Sequence, residues 1–171
     1  SYEGPFGVGY CVARFRPEGP GESLLQELYQ KRQNLIAERR SKEDPYVRLA
    51  RYTLETYVRV GKIPKLPDGL PEEMLNSRAG VFVSIKKHGQ LRGCIGTYLP
   101  TRENIAQEIQ RNAIAAGCED PRFYPVGLEE LNDLEYSVDV LTKPEPVDSI
   151  DMLDPKKYGV IVRKGARSGL L

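Results

Sequence analysis

At 171 residues the chain is long enough for one domain, with a core burying about 70% of the unfolded chain's surface. Its 25 Lys and Arg nearly cancel its 24 Asp and Glu, leaving a formal charge of +1, which argues against a broad basic face for nucleic acid but allows a local patch. Three scattered cysteines and a single histidine argue against a disulfide framework or a four-ligand zinc site and point to a reducing cytoplasm, and no apolar run approaches the ~20 residues of a membrane span.

The first segment reads as one extended strand over Tyr10–Phe15. Gly4, Gly7 and Gly9 precede a strand rather than a helix, so they are not a dinucleotide fingerprint. Pro17–Gly21 has linker composition. Ser23, with Gln26 three residues on, caps a helix running to about Arg40. Its intermittent apolar stripe is Leu24, Leu25, Leu28, Leu35 and Ile36, and Lys31, Arg32, Arg39 and Arg40 suit the negative end of its dipole. Asp44 and Pro45 open a second helix as cap and first residue. Tyr46, Leu49, Ala50, Thr53, Leu54, Tyr57 and Val58 form its buried stripe, and Gly61 ends it. Lys62–Leu70 is a loop.

A hairpin follows. Val81–Lys86 is a strand, Lys87-His88-Gly89 a three-residue loop and Gln90–Tyr98 the return strand. This spacing pairs Ile85 with Leu91, Val83 with Gly93 and Val81 with Ile95, and gathers Phe82, Ser84, Arg92 and Cys94 on the other face. A helix from about Arg102 to Gly117 has Thr101 as its cap and buries Ile105, Ile109, Ala113 and Ala116. Leu128–Leu131 is a short helix. Leu134–Thr142 alternates strictly, with Glu135, Ser137 and Asp139 on its polar side. Lys143–Asp154 is a Pro- and Asp-rich excursion before a final hairpin of Val160–Arg163 and Gly169–Leu171. Helices and antiparallel hairpins in this order predict an α+β fold, an antiparallel sheet packed by helices.

Chemistry concentrates in Leu91–Thr97, which holds a guanidinium, a thiol and two glycines. Arg92 beside Cys94 would favour thiolate, and Gly93 and Gly96 would let a ligand approach the backbone. The alternative is a small buried sulfur in a packing motif. Asp120 can cap a turn, and Arg122 can hold a carboxylate or phosphate, or pair structurally with Glu129 or Glu135. A redox pair of Cys94 with Cys118 is a further option. If the Glu135, Ser137 and Asp139 face adjoins that of Arg92 and Cys94, the set could perform acid–base chemistry on a polar substrate; otherwise it is the solvent side of a sheet. His88 sits at a hairpin tip as a turn residue. No P-loop, kinase, hydrolase-elbow or HExxH pattern is present.

Leu91–Thr97 reads LRGCIGT, Asp120–Phe123 reads DPRF, and Glu129-Glu130-Leu131 and the strand Glu135–Thr142 follow. In this order they resemble the AMMECR domain family over residues 43–171. The resemblance implies a large and a small subdomain around a cleft that the motif residues face. The opening residues resemble the last strand of class III extradiol dioxygenase-like (Memo-like) domains. This implies a remnant of such a domain at 1–18, a linker and helix at 19–43, and an AMMECR domain at 44–171 with a truncated C-terminal end. The family context implies an enzyme or enzyme component acting on a small polar substrate, with Memo-like dioxygenase and radical-SAM partners of the AmmeMemoRadiSam type. Cys94 and Glu135 are then the catalytic candidates, and Arg92, Gly93, Gly96, Asp120, Arg122 and Ser137 the substrate-binding ones. No metal or cofactor is expected on this chain, since metal ligands and an iron–sulfur cluster would belong to the partners. The competing expectation is a non-catalytic module binding protein or nucleic acid.

Overall fold

The computed structural model describes residues 2–3, 10–11, 14, 24–149, 151, 153–154, 158–165 and 167–170. It divides into two units, 1–41 and 42–171. In the first, β1 (Tyr2–Glu3) pairs antiparallel with β2 (Tyr10–Cys11). Arg14, expected within that strand, is not in one, and Val12, Ala13, Phe15 and the Ser23 cap lie outside the described residues. Helix α1 (Leu24–Ser41) carries Glu27 in its first turn and Arg39 and Arg40 in its last, matched to the helix dipole. Its expected apolar stripe is exposed at Leu24, Leu25, Leu28 and Leu35.

The second unit begins with α2 (Pro45–Val60). Asp44 Oδ1 accepts the Val47 N–H at 2.9 Å, and Gly61, at φ +70°, closes the helix by donating to the Tyr57 carbonyl at 2.8 Å. Leu49, Ala50, Thr53 and Leu54 form its buried face, as the spacing predicts. A short helix, α3 (Glu72–Asn76), buries Met74 completely. Five residues are too few for a helical period to show in the sequence, and this element was not expected.

Strands β3 (Val81–Lys87), β4 (Gln90–Thr97) and β5 (Leu134–Val140) form an antiparallel sheet in the order β4-β3-β5. Val81, Val83 and Ile85 are fully buried on the face that joins the core of α2 and α4 (Ile105–Cys118). Asn112 of α4 donates to the Val81 carbonyl at 2.9 Å, so the core contains a satisfied polar tie between helix and sheet. Arg51 links α2 to β5: it bonds Glu43, donates to the Leu134 carbonyl at 3.1 Å and lies 4.5 Å over the Tyr136 ring. The expected stripe of α4 is buried, but the cap is Asn104, whose side chain accepts the Gln107 N–H at 2.9 Å. Thr101 is instead engaged by Glu108.

The β3–β4 register differs from the expected one. His88 and Gly89 both have positive φ, 54° and 78°, and make a two-residue turn closed by Lys87↔Gln90. A shift between Ile85 and Lys86 then leaves Arg92 unpaired as a bulge. The pairs are therefore Ile85↔Gly93, Val83↔Ile95 and Val81↔Thr97. A 3-10 helix (Leu128–Asp133) precedes β5, and β6 (Ile161–Lys164) pairs antiparallel with β7 (Arg167–Leu170). The architecture is α+β. Among the described residues no helix is long and apolar enough to cross a membrane.

Candidate functional site

The second face of the sheet carries a row of small polar side chains. Ser84, on the central strand, pairs with Cys94 on one side and with Ser137 on the other. Ser84 Oγ lies 3.1 Å from Cys94 Sγ. One rung along, Phe82 stands between Gly96 and Asp139; one rung the other way, Lys86 faces Glu135. Ser137 and Asp139 are exposed, and Phe82, Ser84, Cys94 and Glu135 are half-buried. The polar face of β5 thus joins that of Cys94, as the sequence allowed, but across β3. Cys94 and Glu135 stand two strands apart, about 10 Å by strand spacing alone. They are not a hydrogen-bonded acid–base pair.

The outer edge of β4 is closed at Cys94 by the Asp120–Arg122 turn. Asp120 Oδ2 accepts the Cys94 N–H at 2.9 Å, and Arg122 Nη2 donates to the Cys94 carbonyl at 3.1 Å. The two side chains supply the acceptor and donor that a neighbouring strand would offer. They are themselves joined by Nε–Oδ1 at 2.9 Å and Nη2–Oδ2 at 2.7 Å. Hydrogen bonds from the Arg122 guanidinium, with help from the backbone N–H groups of Cys94 and Arg122, overcome burial and hold the Asp120 carboxyl well below the usual carboxylate range. The partner of Arg122 is therefore Asp120, in place of the expected Glu129 or Glu135. Proximity decides this: the Arg122 N–H also bonds Asp120 Oδ1 at 3.1 Å, so one turn fixes both ends.

The bulge directs Arg92 elsewhere. Its guanidinium grips Glu130 with Nε–Oε2 at 3.1 Å and Nη2–Oε1 at 2.8 Å, and Lys87 Nζ reaches the same carboxylate at 2.8 Å. Arg92 is the main cause, against burial, that Glu130 titrates down at about 2. The third nitrogen, Nη1, is buried with no hydrogen-bond partner among the described residues, and the guanidinium lies 5.9 Å from the Phe123 ring. Arg122 lies 5.5 Å from the same ring. Arg92 therefore joins a structural cluster of Lys87, Phe123 and Glu130, instead of the Cys94 face expected for it.

The two motif glycines have packing partners inside the domain. A Cβ on Gly93 would collide with the Ala116 carbonyl of α4, and one on Gly96 with the Phe82 side chain. Cys118 is a free thiol packed against the core, and burial pushes its pKa up. His88 is at the hairpin tip, Nε2 3.9 Å from Asp133. Among the described residues no group of three or more His, Cys, Asp and Glu is placed to hold a metal.

Two carboxylates had no role in the sequence reading, although one, Glu130, lies in the Glu129-Glu130-Leu131 motif. Glu130 stands three residues after Gly127, whose N–H it accepts at 3.2 Å, so a capping position was the available signal. Glu108 is fully buried at the start of α4. It accepts from Thr97 Oγ1 at 2.8 Å, Thr101 N and Oγ1 at 2.7 and 2.8 Å, and Arg102 N at 2.7 Å. Burial alone would raise its pKa, but these bonds outweigh it and the pKa is lowered. Glu108 pins the segment that leaves β4, and with it the end of the Cys94 strand.

Residues 47–171 match the AMMECR1 family model. A Clostridium acetobutylicum protein is 52% identical over 172 residues, covering 100% of this chain and 36% of that protein. The chain thus spans about a third of that relative's length. A Thermotoga maritima protein is 57% identical over 130 residues, 75% of each chain. The crystal structure of an uncharacterized protein from Pyrococcus horikoshii superposes with a TM-score of 0.65 at 38% identity, covering 74% of this chain and 66% of that one. The chain belongs to the AMMECR1 family.

Proposed function

We propose that this AMMECR1-family domain binds a small polar molecule on the open face of β4-β3-β5, as an enzyme or enzyme component. The contact between Ser84 Oγ and Cys94 Sγ at 3.1 Å carries the reading. It lies in a polar row continued by Ser137, beside the half-buried ring of Phe82. A small hydroxylated or amine-bearing molecule would find donors and acceptors there, with Glu135 and Asp139 at the β5 side. Cys94 lines this site, Asp120 and Arg122 position its backbone, and Gly96 keeps room for Phe82. Arg92 and Gly93 act from below as packing and positioning residues. The cleft between two subdomains implied by the family resemblance belongs to the same proposal.

Metal and redox chemistry would come from Memo-like dioxygenase and radical-SAM partners. The greater length of the Clostridium acetobutylicum relative leaves room for such a fused partner. The test is an amide NMR titration with pooled amino acids, sugars and polyamines. Saturable shifts at Ser84, Cys94 and Ser137, lost in Ser137→Gln, are expected. Shifts confined to other faces, or unaffected by Ser137→Gln, would oppose the reading.

A further inference from the structure

The final hairpin has an unusual charge arrangement. Its register is Ile161↔Leu170, Val162↔Gly169, Arg163↔Ser168 and Lys164↔Arg167. Two cations therefore stand directly opposite each other beside the turn, where Gly165 takes φ +59°. Like charges directly opposite on antiparallel strands destabilise the pairing. Both residues are exposed, and neither makes an ion pair with a described residue. Arg163 faces the other way by strand alternation. Its guanidinium lies 5.8 Å from the Tyr98 ring, and Nη2 is 3.4 Å from the Tyr98 hydroxyl, which ties the hairpin to the end of the Cys94 strand. The outer face thus holds Lys164, Arg167, Val162 and Gly169. No described residue lies within 4 Å of the position a Gly169 Cβ would take, so among the described residues the backbone there is open to approach.

We propose that the outer face of the β6–β7 hairpin binds a small molecule bearing one or two phosphate groups, held between Lys164 and Arg167. Side chains on directly opposed residues start about 5 Å apart, so an ammonium and a guanidinium can both reach the oxygens of one phosphate. A bound dianion turns the repulsion between them into two attractive contacts. Nucleic acid suits this face less well. The chain's formal charge is only +1, and one pair of cations is not the basic stripe that tracks a polyanion. The site is separate from the Cys94 face and stands or falls independently of it.

Amide NMR of the full chain with sodium pyrophosphate at low ionic strength tests the proposal. Saturable shifts at Gly165, Arg167 and Gly169 are expected. Lys164→Gln and Arg167→Gln should each weaken binding about tenfold, equivalent to ~1.4 kcal/mol. Unmoved core signals from Val81, Val83 and Ile85 would show that the variants stay folded. Three results would overturn it: no saturable shift in the hairpin, unchanged affinity in the double variant, or sulfate binding as tightly as pyrophosphate. Tighter binding of a single-stranded oligonucleotide through the same two residues would also overturn it, in favour of nucleic acid.

Discussion

The Asp120 carboxylate accepts the backbone N–H of Cys94 at 2.9 Å, at a sheet edge where a further strand would otherwise pair. Asp120 is only 3% exposed, so this is a buried, charge-assisted bond between the two motifs of the sequence. Asp120→Asn retains shape and loses charge. It should cost about 2 kcal/mol, the scale of a hydrogen bond to a charged group. Arg122→Lys should destabilise less, since that side chain is largely in solvent, but in the same direction. Urea unfolding of both variants checks this; an unchanged midpoint for Asp120→Asn would remove the edge-closing role.

Acid stability should depend on the Arg92–Glu130 pair. Glu130 has its folded pKa lowered from 4.5 to about 2. A carboxyl lowered on folding contributes stability that is complete above its unfolded value and is lost as pH falls through the folded one. Asp120, lowered in the same direction, adds to the effect. Thermal midpoints should therefore hold down to pH 4.5 and fall between there and pH 2. In Glu130→Gln the acid limb should be shallower and the neutral-pH midpoint lower. An acid limb as steep as that of the parent protein would contradict the assignment.

Gly93→Ala and Gly96→Ala should separate. The first puts a methyl against a main-chain carbonyl of α4, which can yield only if strand and helix part. The second meets the Phe82 ring, which can rotate, and also the Phe82 Cα at 2.7 Å, which cannot. Overpacking costs typically about 1–3 kcal/mol; Gly93→Ala, whose clash is with backbone alone, belongs at or above the top of that range, while Gly96→Ala belongs within it, because ring rotation relieves part of its clash. Calorimetry on the two variants decides the order; equal effects would mean that the close approach of β4 to α4 is not what Gly93 serves.

Much of this was legible in the chain. The Asp44-Pro45 cap, the Gly61 stop and the 3.6-residue stripe of α2 are local signals, and local geometry obeyed them. So did the alternation of β5, which placed Ser137 and Asp139 on the polar face. The hairpin register was not legible. His88 takes positive φ without being glycine, and a bulge at Arg92 shows no compositional mark. That one residue decided the site, because it moved a guanidinium from Cys94 to Glu130. Arg122 was read as a bidentate group, but its partner two positions away was overlooked in favour of distant carboxylates. Glu108 carries no local sequence mark and is a buried anchor for four donors, since its partners lie at the end of the preceding strand and loop.

The central claim is that Cys94 lines an accessible, ligand-binding face, while Cys118, equally half-buried, packs against the core. Mass spectrometry of iodoacetamide labelling at neutral pH measures this most directly. Cys94 is half-buried beside Ser84 on the open face, whereas burial raises the Cys118 thiol pKa. Cys94 should label first in the folded protein, and Ser137→Gln should slow it. Labelling of Cys118 before Cys94, or of neither until urea is added, would show that the LRGCIGT strand is packing alone and that the open face is not a binding site.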